Sequence, residues 1–262
     1  MTKLPQMPQD YDLVAVDTIG STNEELKRRA IKEDAAEGLT LWSLEQTSGK
    51  GRQLREWVSK PGNMYCSVLF RPDCAMADAA QIGFLPVIAA GEALAEILGV
   101  AAPLRYKWPN DLLLNRKKIG GTLLEAGVAQ NGLAAWVVAG CGINLRHFPA
   151  DTRFPAASVK DELALDIEVG DMVEAYVAKL AVWYSRWQEE GFEPVREAWL
   201  ASAHTFDEPL IVESGSEKLS GPFRDLDEHG ALVIETADGS RRITAGDVYF
   251  NETDTDSGRG DS

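Results

Sequence analysis

Residues 104–125 have the sequence LRYKWPNDLLLNRKKIGGTLLE. Two apolar segments are separated by a break at Pro109, and a short polar turn at 115–117 precedes a returning apolar segment. Because proline cannot donate a ladder hydrogen bond, the pattern predicts two strands, a tight turn and a return strand. Gly120 and Gly121 lie inside the return strand, where glycine usually marks a close approach of another group to the backbone. This stretch therefore predicts a β-sheet with another group held close to it.

The flanking segments extend this sheet and cover it with helices. Alternating or continuous apolar runs predict further strands, and runs with a 3.6-residue period predict helices. The predicted strands are 11–19, 39–44, 64–70 and 134–145, and the predicted helices are 24–30, 77–98, 170–190 and 194–203. Pro86 should kink the helix at 77–98 or mark a start within it. We therefore predict an α+β fold in which helices pack on a mixed β-sheet.

From about Phe206 the chain changes to short β runs separated by turns. Hairpin-turn residues stand at Asp227–Gly230 and Asp238–Ser240. We predict a small C-terminal SH3-like β-barrel at 205–250, after a larger domain at 1–204. The tail at 251–262 is polar and acidic, and we expect it to be disordered.

The segment 45–57, EQTSGKGRQLREW, connects two predicted strands and carries three cations close to two glycines. Gly49 and Gly51 let the backbone approach a ligand and present N–H groups to an anion, while Lys50, Arg52 and Arg55 add positive charge. Such a loop suits a phosphate or a carboxylate, and a solvated basic hairpin is the alternative. A dinucleotide-binding loop needs a third glycine followed by a helix, and a P-loop needs Ser or Thr after the lysine, so neither fits.

Two further groups of polar residues are candidates for ligand binding. Ser21, Thr22 and Asn23 precede the first predicted helix. Helix capping is their simplest role, and hydrogen bonding to a neutral polar ligand is a second, compatible one. Lys118 follows the polar turn and stands beside the glycine pair. A lysine after a turn is usually solvated, but its position next to two glycines also favours contact with a ligand.

Composition excludes several classes of function. The formal net charge of -15 argues against a nucleic-acid-binding face, which needs clustered cations. Cys66, Cys74 and Cys141 are odd in number and lack metal-ligand spacing, which predicts reduced thiols in the cytoplasm. The histidines stand far apart, so neither a histidine metal site nor a Ser–His pair is expected. We find no signal sequence and expect no run long enough to span a bilayer, hence no membrane partner.

Together these motifs resemble the biotin protein ligase family, also called biotin–[acetyl-CoA-carboxylase] ligases. The family's loop typically reads Gly-Arg-Gly-Arg-Arg-Gly-Arg-x-Trp after a glutamine, and it is matched here by Gln46, Gly49–Arg52, Arg55 and Trp57. The other matching motifs keep the family's order along the chain and are Ser21–Asn23, Pro61–Asn63, Lys107–Asp111, Lys118–Gly121, Gly142–Leu145, Asp227–Leu232 and Ala245–Val248. The combination of Lys-Trp-Pro-Asn-Asp with a following Lys-x-Gly-Gly is the most specific of them.

The resemblance implies an ATP-dependent, AMP-forming enzyme whose catalytic domain precedes the barrel. Biotin and Mg-ATP would form biotinyl-5′-adenylate, and a lysine of a biotin carboxyl carrier domain would then attack the mixed anhydride. The protein itself would fix no metal, and Mg2+ would arrive with ATP near Asp111. We expect a cytoplasmic monomer or homodimer. It should lack the N-terminal DNA-binding domain of family repressors, because the chain begins shortly before its first predicted strand.

The resemblance also implies roles for single residues. The expected catalytic residues are Lys118, Arg52 and Asp111, with Lys118 contacting the biotin carboxylate and the phosphoryl oxygens. The residues expected to bind biotin are Ser21, Thr22, Asn23, Gln46, Gly49, Lys50, Gly51, Arg52, Lys118 and Gly120. The residues expected to bind ATP are Lys50, Arg52, Arg55, Asn110, Asp111 and Asn144. Trp57 is expected to line the ligand or to pack, and Trp108 to pack.

The loop at 45–57 also departs from the family motif. Lys50 replaces an arginine and offers a point charge in place of a bidentate fork. Gln53 and Leu54 stand where Arg-Gly is usual, and leucine does not readily adopt the positive φ that glycine allows. We therefore expect a working ligase that holds its adenylate less tightly.

Two other functions stay open at this point. A lipoate or octanoate ligase shares the fold and the activated acyl group, but a fatty acyl chain needs no polar cluster for a ureido ring. A non-catalytic biotin-binding module would bind biotin without transferring AMP. The sequence does not identify the carboxylase that accepts the biotin.

Overall fold

The structure is a computed structural model that describes residues 4–99, 102–150, 152, 154–203, 209–215 and 217–250. The strands are β1 (Leu13–Ile19), β2 (Thr40–Gln46), β3 (Met64–Phe70), β4 (Leu104–Lys107), β5 (Asp111–Leu114), β6 (Lys117–Val128), β7 (Ala134–Ile143), β8 (Pro209–Ser214), β9 (Glu217–Leu226), β10 (Leu232–Thr236), β11 (Gly239–Ile243) and β12 (Asp247–Phe250). The α-helices are α1 (Thr22–Lys32), α2 (Met76–Ala79), α3 (Leu85–Leu98), α4 (Val159–Leu163), α5 (Val169–Glu190) and α6 (Glu193–Ala201). Short 3-10 helices occupy Arg52–Leu54 and Ala80–Phe84.

The first seven strands form one mixed sheet in the order β1-β2-β3-β7-β6-β5-β4. β1 runs parallel to β2, and the other neighbouring strands are antiparallel. β3 lies near the middle of the sheet, and all seven of its residues are buried. Burial on both faces explains why this strand is almost continuously apolar. The predicted α+β fold with a mixed sheet and packed helices is confirmed.

Opposite faces of the sheet are covered by different helices. Val68 and Phe70 of β3 belong to the large apolar cluster that includes α3 and α5, while Leu69 between them packs with Leu26 of α1. This alternation follows from the two-residue period of a strand. The aromatic residues of α5 pack in the large apolar cluster, and the Trp187 indole also donates to Gln81 Oε1 at 3.0 Å.

The hairpin between β5 and β6 follows the sequence closely. Asn115 and Arg116 form the turn with φ angles of 49° and 65°, and β6 already begins at Lys117. The turn is therefore one residue shorter than predicted, as in the two-residue hairpins that need positive φ at both positions. Pro109 separates β4 from β5, and the register places Lys107 opposite Asp111.

The segment Met76–Leu98 corrects the prediction about membrane spans. By length and composition it could cross a bilayer, since its most apolar 18-residue window has a mean hydropathy of 1.5. In the structure 67% of that window is buried, and the segment forms α2, a 3-10 helix and α3. Pro86 lies in the first turn of α3, where its missing N–H is tolerated. The apolar character of this segment is that of a core helix.

The C-terminal strands form a separate antiparallel sheet in the order β11-β10-β9-β8-β12. This module docks through polar contacts on the larger domain: Arg196 of α6 donates to the Leu226 carbonyl and to both Asp225 oxygens. The Trp108 indole donates to the Gly230 carbonyl at 3.1 Å. Closure of the sheet into an SH3-like barrel stays a prediction, and the tail at 251–262 lies outside the described residues.

Candidate active site

A cavity of about 390 Å³ opens between the start of α1, the loop after β2, the β4–β5 turn and the C-terminal module. Most of the predicted site residues line it, namely Ser21, Thr22, Asn23, Gln46, Lys50, Gly51, Arg52, Arg55, Asn110, Asp111, Lys118 and Asn144. Gly49 and Gly120 are outside this lining. A Cβ on Gly49 would lie 2.5 Å from the Trp57 carbonyl oxygen, and one on Gly120 would lie 2.5 Å from Ile143. Strand alternation turns the neighbouring Gly121 to the cavity instead.

One wall of the cavity is polar, uncharged and already held in place. The backbone N–H and the hydroxyl of Thr22 both donate to Gln46 Oε1, at 2.9 and 3.1 Å. The Ser67 hydroxyl lies 2.7 Å from both Thr22 Oγ1 and Asn23 Oδ1. Gly140 of β7 leaves room for Asn23, because a Cβ there would be 2.1 Å from Asn23 Oδ1. These contacts fix the amides of the wall before a ligand arrives.

Ser21 occupies the N-cap position of α1, but its side chain makes no capping hydrogen bond. Capping was the simplest role predicted for these residues, and it is wrong for the Ser21 side chain. The residue is 5% exposed and lines the cavity. The second predicted role, contact with a polar ligand, is the one that its position allows.

Asp111 lies between two lysines in the cavity. Its Oδ2 is 2.9 Å from Lys107 Nζ, and its Oδ1 is 2.6 Å from Lys118 Nζ. Burial by itself would raise the pKa of Asp111, but the charges and hydrogen bonds of Lys118 and Lys107 outweigh it and lower the pKa to about 2. Burial lowers the pKa of Lys107, and the Asp111 charge opposes this effect. Lys118 is the more exposed of the two lysines. Its ammonium group is held in place by the charged carboxylate of Asp111.

The glycine loop, residues 47–58, brings its three cations to the cavity in different ways. Lys50 Nζ pairs with Glu24 Oε1 of α1 at 2.8 Å. Arg52 donates to the Gly246 carbonyl at 3.1 Å, and Arg55 donates to an Asp247 carboxylate oxygen. The glycine loop is therefore attached both to the larger domain and to the C-terminal module.

The backbone of the glycine loop adopts the conformation that its sequence disfavours. Gln53 and Leu54 have φ angles of 54° and 60°, in the left-handed region. The Leu54 side chain is 87% exposed, so no packing inside the described chain offsets this conformation. Two consecutive side chains in this region are costly, because each Cβ crowds the following carbonyl.

Two asparagines predicted to contact a nucleotide also support the surrounding backbone. Asn110 donates to the Thr122 carbonyl, and Asn144 donates to the Ala157 carbonyl at 3.2 Å. The backbone N–H of Asn144 donates to the Ile119 carbonyl oxygen at 2.6 Å. Both side chains line the cavity while bridging neighbouring segments.

The cavity contains residues that sequence reasoning did not select. Lys107 is 5% exposed, and its ammonium group lies 3.6 Å from the centre of the Phe154 ring. Phe154 stacks on Tyr249 of the C-terminal module with ring centres 4.7 Å apart. Asp247 faces the arginines of the glycine loop. Lys107 and Asp247 each belonged to a recognised motif, which was a usable signal, whereas nothing local in the sequence pointed to Phe154.

The donor set does not suit a metal ion held by the protein. The described part of the chain contains no group of three His, Cys, Asp or Glu residues arranged as metal ligands. The two oxygens of Asp111 each pair with a lysine. Displacing two ammonium groups would be needed before Asp111 could ligate a cation directly.

Comparisons with known proteins agree with this combination of fold and site. The model of the biotin/lipoate A/B protein ligase family matches residues 45–201, and that of the biotin protein ligase C-terminal domain matches residues 205–251. These matches define the class as protein ligases that use biotin or lipoate.

Individual relatives narrow the class. A biotin–[acetyl-CoA-carboxylase] ligase of Paracoccus denitrificans is 37% identical over 219 residues, which are 80% of this chain and 90% of that protein. The bifunctional ligase/repressor BirA of Bacillus subtilis is 27% identical over 90% of this chain and 73% of its own length. The biotin protein ligase from Aquifex aeolicus in complex with biotin and ATP superimposes with a TM-score of 0.78 at 25% identity, covering 92% of this chain and 98% of that one. This chain belongs to the biotin protein ligase family.

Proposed function

We propose that this protein activates biotin with ATP to biotinyl-5′-AMP and transfers the biotinyl group to a lysine of a biotin carboxyl carrier protein. One observation carries the proposal: a single cavity combines a preformed neutral polar wall with a Lys107–Asp111–Lys118 cluster. The related ligase and the Aquifex complex with biotin and ATP support the same chemistry. The protein is accordingly an ATP-dependent ligase.

The polar wall suits the ureido ring of biotin, which offers two donors and one strong acceptor. Ser21, Thr22 and Gln46 line the wall, while Asn23 is held by contacts to the protein. A site that is shaped to hydrogen-bond such a group discriminates against analogues that lack it. A fatty acyl chain would leave this wall unused, which favours biotin over lipoate.

The cationic side of the cavity suits the reaction itself. In the first step a biotin carboxylate oxygen attacks the α-phosphorus of ATP and pyrophosphate leaves, so two anions must be held together. Lys118 supplies a positive charge where negative charge develops, and Asp111 keeps its ammonium group in position. Arg52 and Arg55 reach the cavity from the glycine loop and would fold over the adenylate. In the second step the amine of the carrier lysine attacks the biotinyl carbonyl, and AMP leaves.

Three finer points complete the proposal. Magnesium would enter bound to the ATP phosphates, since Asp111 is committed to two lysines. Asn110 and Asn144 would contact the nucleotide while they brace the cavity. The boundary between a catalytic domain at 1–204 and the module at 205–250 is supported by the family models, which meet between residues 201 and 205.

ATP–pyrophosphate exchange tests this function directly. We expect exchange that depends on biotin and a bound biotinyl-5′-adenylate detectable by mass spectrometry, followed by biotinylation of a carrier domain. Exchange that depends on lipoate instead would identify a lipoate ligase. Biotin binding without exchange would identify a non-catalytic binding module and overturn the proposal.

A further inference from the structure

A continuous chain of four charged side chains and one amide connects the glycine loop to the polar wall of the cavity. Its members are Lys50, Glu24, Lys27, Glu125 and Asn23, and the successive contacts measure 2.8, 3.1, 2.6 and 3.0 Å. Glu24 bridges two lysines, and Lys27 bridges two carboxylates. This contact network links a residue of the loop that covers the cavity to a residue of its wall.

At the inner end, Glu125 fixes the Asn23 amide. Asn23 Nδ2 donates to Glu125 Oε2 at 3.0 Å and to the Leu123 carbonyl at 3.2 Å. Asn23 Oδ1 faces the Ser67 hydroxyl at 2.7 Å, and that hydroxyl also contacts Thr22. Because the donor side of the amide faces a carboxylate, the charge of Glu125 sets the orientation of Asn23. The Ser67 hydroxyl contacts both Asn23 and Thr22, so it links the orientation of Asn23 to that of Thr22.

At the outer end, Glu24 holds Lys50. The hydrogen bond from Lys50 is the largest influence on the pKa of the Glu24 carboxyl. Lys50 and Lys27 together lower this pKa against the opposing effect of partial burial. Lys50 comes from the glycine loop and Glu24 from the first turn of α1, so their pairing joins two elements that must be together when the cavity is covered.

The pairs on the neighbouring face of α1 show what an ordinary surface arrangement looks like. Glu25 pairs with Arg28 and Arg29 of its own helix, at spacings of three and four residues. Such pairs stabilise a helix slightly, and the further pair of Arg28 with Glu33 reaches only the residue that follows the same helix. Glu24 and Lys27 instead make contacts outside the helix in two directions.

We infer that Glu24 and Lys27 are positioning residues that hold the glycine loop closed through Lys50 and couple its closure to the orientation of Asn23. This inference rests on the proposed function and assigns Lys50 to loop closure, with ligand contact left to Arg52 and Arg55. The ligand then stays in place only while the loop is latched to α1. Loss of the latch speeds the release of the adenylate.

A double-mutant cycle tests the latch. The dissociation rate of biotinyl-5′-adenylate would be measured on the full-length chain for Glu24→Gln, Lys50→Gln and the double variant. Partly exposed pairs contribute up to about 1 kcal/mol, so we expect each single variant to release the adenylate roughly two- to fivefold faster. The double variant should be no faster than the singles, because both remove the same contact. Glu25→Gln is the matched control and should leave the rate unchanged.

Lys27→Met tests the inner half of the network. Without Lys27, Glu125 loses its counter-charge, and we expect biotin binding to weaken as well as adenylate release to accelerate. Raising the salt concentration should narrow the difference between wild type and Glu24→Gln, since the pairs are partly exposed to solvent. Unchanged midpoints of thermal unfolding would show that the effect is positional.

Two outcomes would overturn the inference. Effects of Glu24→Gln and Lys50→Gln that multiply in the double variant would mean that Lys50 acts on the ligand independently of Glu24. A normal release rate in Glu24→Gln would mean that the pair holds nothing. Failure of the proposed function is distinguishable, because wild-type protein would then show no biotin-dependent exchange at all.

Discussion

At the scale of single residues, the main feature of the cavity is one carboxylate, that of Asp111, shared by two lysines. Asp111 is buried, yet its pKa is about 2 because Lys118 and Lys107 stabilise its charge more than burial opposes it. Lys107 in turn remains buried beside Phe154 and Asp111. The three charges are therefore interdependent, and each substitution acts on its neighbours.

Replacing Lys118 by alanine should reduce the rate of adenylate formation by about 10²–10³, as for other preorganised groups that stabilise charge in a transition state. Single-turnover formation of pyrophosphate measures this step. Lys117→Ala is the matched control, because that neighbouring lysine pairs with Glu162 on the outside. A similar loss in both variants would show that the cavity-facing charge is not what matters.

Replacing Asp111 by asparagine should destabilise the protein by about 3–5 kcal/mol, since it leaves a buried lysine without its counter-charge. In the wild type, a folded-state pKa below the ordinary 3.8 means that the stabilisation by Asp111 is present above that pH and is lost as pH falls towards 2. Urea unfolding between pH 2 and pH 6 measures both effects.

The added substitution Lys107→Met should recover part of the stability lost in Asp111→Asn, because it removes the uncompensated charge. An Asp111→Asn protein as stable as the wild type at pH 6 would contradict the assignment of this cluster as a buried ion pair.

At the scale of elements, the glycine loop is the least regular part of the site. It is attached at several points, through Lys50 to α1 and through Arg52 and Arg55 to the C-terminal module. Two of its residues, Gln53 and Leu54, nevertheless adopt positive φ. Attachment and unfavourable backbone conformation act against each other, so the closed loop is less stable than its contacts alone suggest.

The combined substitutions Gln53→Arg and Leu54→Gly should slow the release of biotinyl-5′-adenylate by roughly three- to tenfold. Glycine adopts the left-handed conformation without the cost of about 1–2 kcal/mol that other residues incur. Leu54→Ala is the control for the exposed side chain, because it removes the side chain and keeps the Cβ. Equal release rates in the wild type and the double variant would refute the idea that this loop closes poorly.

At the scale of the whole molecule, the C-terminal module completes the cavity. Asp247 and Val248 line it, and the Lys107 ammonium group donates to the Val248 carbonyl at 3.3 Å. The surroundings of the buried Lys107 are therefore completed by residues from the end of the described chain. Docking of the module is part of forming the site.

Arg196→Gln should lower the free energy of unfolding by about 1–3 kcal/mol, because Arg196 joins α6 to two neighbouring residues of β9 with hydrogen bonds to a carbonyl and a carboxylate. It should also weaken ATP binding, since the same module lines the cavity. Arg186→Gln, which removes an exposed pair with Glu190 on α5, should change neither property measurably. Equal stability of the two variants would show that this docking contact carries little energy.

The sequence by itself determined the succession of the main strands and helices along the chain, the hairpin at Asn115 and the chemistry of the glycine loop. These features depend on residues close together in the chain, where periodicity, turn preferences and motif spacing can be read directly. Ser21 to Asn23 and Lys118 were selected as candidate residues for the same reason, since each belongs to a short motif, and the structure places them around one cavity.

Only the tertiary structure decided which distant residues share a contact. Lys27 meets Glu125 across 98 positions, Arg55 meets Asp247 across 192, and Gly121 rather than Gly120 faces the cavity. These results depend on the order of the strands within the sheet, on the packing of α1 against the sheet and on the direction of each side chain. No local pattern encodes the long-range ion pairs, because their energies arise only when the folded chain brings the charges together.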